Sequence, residues 1–177
     1  MILRFIYFMT LCATLMSCKP TQDSVSKDLQ QEININSCPD DGMCSFEILK
    51  HKTLEIKTDG IGAKYPQVQN GDKTVLKFEY KRASNPAIAD DGYSEIIYAE
   101  IHPDTRSLSL NDEMLSQAKI LFGRLCFCRG ESGYFEAAEG SFEISEYKNK
   151  TSLQLDFDLN IPEVPQVIQQ MTIVYFP

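Results

Sequence analysis

The 177-residue chain has no tryptophan and only two histidines, His51 and His102. Imidazole is the side chain best suited to moving protons near neutral pH, so this scarcity leaves few ways to build an acid–base centre. Neither histidine sits in a recognisable acid–His–nucleophile pattern. His51 follows Lys50 at an expected strand boundary, and His102 precedes Pro103. Basic runs are missing too: 17 Lys and Arg stand against 25 Asp and Glu, a net charge of −8. No stretch can neutralise a phosphate backbone and release its counterions, which excludes nucleic acid as a partner. Metal-ligand spacings are absent. Cys38 and Cys44 are five residues apart, and Cys126 and Cys128 one apart, where zinc sites favour two to four. Asp40-Asp41-Gly42 and Asp90-Asp91-Gly92 lack the alternating ligand spacing of a calcium loop. In Gly130-Glu131-Ser132-Gly133 the next position is Tyr134, where a nucleophile elbow needs glycine, so Ser132 reads as a turn residue. No cofactor and no metal is expected.

What is present begins with an export pattern. Met1–Arg4 is a short positive head, and Phe5–Met16 is an apolar run too short for the roughly 20 residues that cross a bilayer. The run ends in Leu15-Met16-Ser17-Cys18. These residues resemble the lipid-attachment signal of bacterial lipoproteins. The resemblance covers residues 1–18 alone. It implies removal of residues 1–17 and a diacylglycerol on Cys18. Two or three acyl chains, at about 0.8 kcal/mol per buried CH₂, anchor stably where one does not. Lys19 rather than Asp after the cysteine implies the outer rather than the inner membrane of a two-membrane cell envelope. Loss of Arg4 takes the net charge from −8 to −9, so an anionic surface repels the domain and favours one standing off on a tether.

Residues 18–37 are expected to be the lipidated cysteine and a flexible tether. The segment is polar, with almost no aliphatic residue before Ile33, and cannot bury enough to order itself. Residues 38–177 are expected to form one domain, a length sufficient for a single core. Here apolar residues recur with period two. Leu76, Phe78 and Tyr80 alternate with Lys77 and Glu79, and Ile97, Ala99 and Ile101 share a phase. Leu153, Leu155, Phe157, Leu159 and Ile161 form the cleanest series. Residues 59–73 and 83–92 read as loops, 118–128 as one central strand and 134–146 as another. Residues 111–117 read as a short helical turn capped by Asn111. The expected fold is all-β, an antiparallel sandwich or small barrel of about eight strands.

Two features bear on function. Cys126 and Cys128 project to one side of an extended strand, with Cα atoms about 6.5–7 Å apart, too far for a comfortable direct bridge. Two cross-pairings remain, Cys38–Cys126 with Cys44–Cys128 and Cys38–Cys128 with Cys44–Cys126. The second, the nested order of an antiparallel neighbour, is the expected one, and each bridge would close a loop of more than 80 residues. The chain-entropy gain is roughly 4–5 kcal/mol for the first bridge. The second is the stripe Gln154, Asp156, Asp158 and Asn160, opposite the apolar face of its strand. Alternating carboxylates and amides suit a calcium ion or the hydroxyls of a sugar; otherwise they are a solvated face. The expectation is a non-catalytic binding or accessory module, held at the membrane and facing a protein or carbohydrate ligand. The competing expectation is a small envelope hydrolase or metal-dependent enzyme whose site assembles only on folding.

Overall fold

The computed structural model describes residues 33–129, 131–148 and 152–177. The export segment 1–17, the lipidation candidate Cys18 and tether residues 19–32 lie outside the described residues. The described residues form a compact unit of their own.

Among the described residues ten strands build two antiparallel five-stranded sheets packed as a sandwich, so the all-β expectation holds. In chain order they are β1 (Asn34–Asn36), β2 (Gly42–Thr58), β3 (Lys64–Arg82), β4 (Tyr93–Ile101) and β5 (Leu108–Asn111), followed by β6 (Leu121–Cys126), β7 (Gly133–Glu136), β8 (Glu139–Glu146), β9 (Leu153–Asn160) and β10 (Gln170–Tyr175). Sheet A runs β1-β10-β9-β8-β5 and sheet B runs β2-β3-β4-β6-β7. The inward phases meet between them. From sheet A come Phe142, Ile144, Leu153, Leu155, Phe157, Met171 and Ile173, and from sheet B Phe46, Leu76, Phe78, Ile97 and Phe122, all buried. Phe78 meets Phe157 edge to face across the gap, with centroids 5.8 Å apart.

Several boundaries depart from the sequence reading. The tether was expected to run to residue 37, but Asn34–Asn36 is β1, paired with Thr172–Val174. Ile33 and Ile35 pack on the core, supplying apolar side chains of a kind the preceding polar sequence has few of. Residues 64–73, expected as loop, belong to β3, and residues 64–70 of them pair with Lys52–Thr58 of β2. Pro66 is tolerated because this half of β3 has β2 on one side only, apart from the pair Lys64–Tyr134. That pair joins β3 to β7 and curls sheet B back on itself. The curl covers part of its outer face: Val75, Ile96 and Leu121 point away from the inter-sheet core, yet all three are buried. Leu54 on the bent arm is also fully buried. Its N–H donates to Glu100 Oε2 at 2.7 Å, and its carbonyl accepts from Lys119 Nζ at 2.8 Å.

The helical turn is a 3-10 helix at Asp112–Ala118, and the side chain of Asn111 makes no capping bond. Asp112 instead accepts from Gly140 N–H at 2.9 Å and ties the turn to β8. The single strand expected over 118–128 is thus split between this helix and β6. The one expected over 134–146 breaks at Ala137, and its halves lie in different sheets.

Candidate functional site

The stripe expected on one strand face is β9's outward phase. Its surroundings, which the sequence does not show, are supplied by register. Asp156 pairs with Thr172 on β10 and Glu143 on β8, Thr172 with Asn36 on β1, and Glu143 with Ser109 on β5. Asn36, Thr172, Asp156, Glu143 and Ser109 therefore form one polar row across all five strands of sheet A. Both oxygens of Asp156 are engaged, by Thr172 Oγ1 at 2.6 Å and Gln154 Nε2 at 2.7 Å. Asp158 accepts from Gln170 at 2.8 Å, and Asn160 donates to Glu139 at 2.6 Å. The carboxylates are turned toward amides and a hydroxyl rather than toward a common point. Among the described residues no group of three or more His, Cys, Asp or Glu side chains is placed to hold a metal ion. The face is an array of donors and acceptors, the kind of surface that meets hydroxyls and amides edge on.

The expected cross-bridges between the two cysteine pairs are not formed. Cys38 bonds to Cys44 and Cys126 to Cys128, with Cα atoms 5.9 and 5.3 Å apart. The reason is topological. Cys44 is in β2 and Cys126 ends β6, and β3 and β4 lie between them, so three strand spacings, about 14 Å, separate the two strands. The 126–128 bridge is possible because β6 stops at Cys126; the chain bends at Phe127 and brings the Cα atoms closer than an extended strand allows. Both bridges close short loops. Chain entropy then gives about 2.4 kcal/mol for 38–44 and about 1.6 kcal/mol for 126–128, well below the long-loop expectation. Cys38–Cys44 ties the connection that follows sheet A's edge strand β1 to sheet B's edge strand β2, whereas Cys126–Cys128 joins no two elements.

At this same end of sheet B lies a network of polar side chains that pattern reading overlooked. Glu95 is completely buried. It accepts from the backbone N–H groups of Val167 and Ile168, each at 2.7 Å, and from the Tyr93 hydroxyl at 2.5 Å. Burial, and then this bond to Glu95, push the Tyr93 hydroxyl pKa above its ordinary value. Arg82 stacks over the Tyr93 ring at 4.2 Å, and its Nε lies 3.4 Å from Asp41, the residue that also accepts from Tyr80. Arg124 Nε donates to Tyr93 Oη at 3.3 Å. One signal was available: Glu95 falls in the same phase as Tyr93, Ile97, Ala99 and Ile101, where a carboxylate is out of place unless bonded.

Neither histidine stands beside an acid in a cleft. His51 is the bulged residue between Lys50 and Lys52, with φ of 57°. It lines a cavity of about 140 Å³ with Ile48, Thr74, Leu76 and Tyr175, whose wall contains no carboxylate side chain. His102 Nε2 lies 2.8 Å from Lys73 Nζ. Ser132 accepts from Cys126 N–H at 3.4 Å, as a turn residue does.

The cavity wall makes one pH-dependent prediction. Burial, slightly offset by Arg106, pushes the Tyr175 hydroxyl from 10.0 up to about 12. Below pH 10 both folded and unfolded chains keep this proton and its stabilisation is complete. Between pH 10 and 12 only the unfolded chain releases it, so stability falls by about 1.4 kcal/mol per pH unit. Urea unfolding at pH 9.5 and pH 11.5 is expected to show the fall, and Tyr175→Phe is expected to remove roughly 2 kcal/mol of it. Equal falls in both proteins would show that Tyr175 does not ionise on unfolding.

No family model, no curated protein and no solved structure matches the chain.

Proposed function

We propose that this protein is a lipid-anchored lipoprotein of the bacterial cell envelope, outer rather than inner membrane, whose β domain is a non-catalytic binding module. The reading of the anchor rests on Leu15-Met16-Ser17-Cys18. The reading of the domain rests on one observation above all: the unbroken polar row Asn36, Thr172, Asp156, Glu143 and Ser109 on the outer face of sheet A. Hydrogen-bonding groups held rigid on a sheet recognise a ligand's hydroxyls and amides at low entropic cost. A carbohydrate chain or an extended polypeptide fits such a face, and the positions of His51 and His102 speak against the hydrolase alternative.

Two experiments test the two halves. Labelled palmitate is expected to enter the protein in growing cells and to vanish in Cys18→Ala; unchanged incorporation refutes the anchor. Soluble cell-wall glycan fragments titrated into the isotopically labelled protein are expected to shift amide resonances of β8, β9 and β10, and Asp156→Ala is expected to weaken binding about tenfold, some 1.4 kcal/mol. Shifts confined to the His51 cavity would overturn the assignment of the face.

A further inference from the structure

We infer that Cys126–Cys128 is a thiol–disulfide exchange site that reacts with a dithiol on another polypeptide. It stands apart from the binding face on sheet A. Three observations carry it. The bridge encloses a single residue, runs from the last ladder pair of β6 (Tyr93 with Cys126) to Cys128 beyond the strand, and links no separate elements, so opening it leaves both sheets intact. Cys38–Cys44 by contrast fixes the connection leaving edge strand β1 of sheet A to edge strand β2 of sheet B. The enclosed residue, Phe127, is an aromatic side chain held 85% exposed, with Met43 on the Cys38–Cys44 loop 74% exposed. A hydrophobic side chain left in water between two half-buried sulfurs offers another polypeptide its first contact. Lastly, Cys126 packs against the core and its N–H is bonded to Ser132, whereas Cys128 lies outside the strand. The two sulfurs therefore have unequal roles.

A thiolate of the partner attacks Sγ of Cys128. The Cys126–Cys128 bond breaks, and Cys126 departs as a thiolate, with Arg124 two residues before it. The partner's second thiolate then attacks its own bridged sulfur and expels Cys128. The partner's dithiol has lost two electrons and two protons to become a disulfide, and Cys126 and Cys128 have gained them as thiols. No further reactant enters this single turnover. Reactivity of this kind depends on access and on the leaving thiolate.

The test equilibrates the full chain, in detergent, with graded mixtures of reduced and oxidised glutathione, then alkylates free thiols and maps them by mass. Cys126–Cys128 is expected to open at a thiol excess at least tenfold smaller than Cys38–Cys44 requires, with the far-ultraviolet circular dichroism unchanged. One equivalent of a reduced dithiol peptide is expected to be oxidised per oxidised protein chain, and none by the double variant Cys126→Ser, Cys128→Ser. Opening of both pairs together, opening of Cys38–Cys44 first, or no opening before the fold is lost overturns the inference. So does a double variant that fails to fold, because the bridge would then be a structural staple.

Discussion

Glu95→Ala is expected to lower the unfolding free energy by about 4 kcal/mol, because it orphans two backbone N–H groups and a tyrosine hydroxyl at roughly 1–3 kcal/mol each, partly relieved by water. The carboxylate comes from β4 of sheet B, and the N–H groups of Val167 and Ile168 belong to the segment entering β10 of sheet A. The bond set is thus a bolt between the layers, and Ile168 beside it is itself buried. Glu95→Gln keeps one acceptor oxygen but aims an NH₂ at a backbone N–H, so about 2 kcal/mol is expected. Tyr93→Phe removes the donor to Glu95 and the acceptor for Arg124 Nε but leaves both N–H groups bonded, and about 1 kcal/mol is expected. Urea unfolding of the three variants checks the order Ala, Gln, Phe. A loss under 1 kcal/mol in Glu95→Ala would mean that the sheets are held without it.

Gly140→Ala is expected to destabilise by about 3–4 kcal/mol for two reasons that add. Gly140 has φ of +121°, a region nearly closed to residues with a Cβ. A Cβ built there would also strike the main-chain oxygen of Asp158, on the neighbouring strand β9. Backbone cannot swing aside as a side-chain tip can, so β8 must shift from β9 or lose its bond to Asp112. Gly60→Ala provides the comparison. Its Cβ meets nothing within 4 Å, and a change within about 0.5 kcal/mol is expected. Thermal melts of the two variants check the contrast, and equal melting temperatures would contradict the account of Gly140.

These two residues also mark what the sequence could and could not tell. The alternation of Leu153 through Ile161 survives folding unchanged, since each of those five side chains is buried. Gly140 falls in the apolar phase of its strand, where a glycine marks a bulge or tight turn, but nothing in the sequence points to Asp158 as its neighbour across the ladder. Glu95 was visible as a carboxylate in an apolar phase, but Val167 and Ile168 lie more than 70 residues away. The geometry of an uninterrupted strand predicts the wrong bridges; a bend at one residue, Phe127, is enough to change the answer. The first half of β3 was hidden by Pro66 and Gly71 together with a polar composition, because a hairpin arm with little on its other side needs no strong alternation. The polar row on sheet A combines five strands, and only register brings Asn36 into line with Ser109.

The manner in which β1 is fastened has a mechanical consequence. Tension applied through the chain before Ile33 reaches β1 first, on the outer edge of sheet A. Its three register pairs with β10 open one after another under a small load. The peeling then halts at Cys38, which is covalently fixed to β2; any further pull is shared along the long β2–β3 ladder. A tug at the amino end would thus give a few residues of slack and then meet a hard stop, with the sandwich behind it still whole.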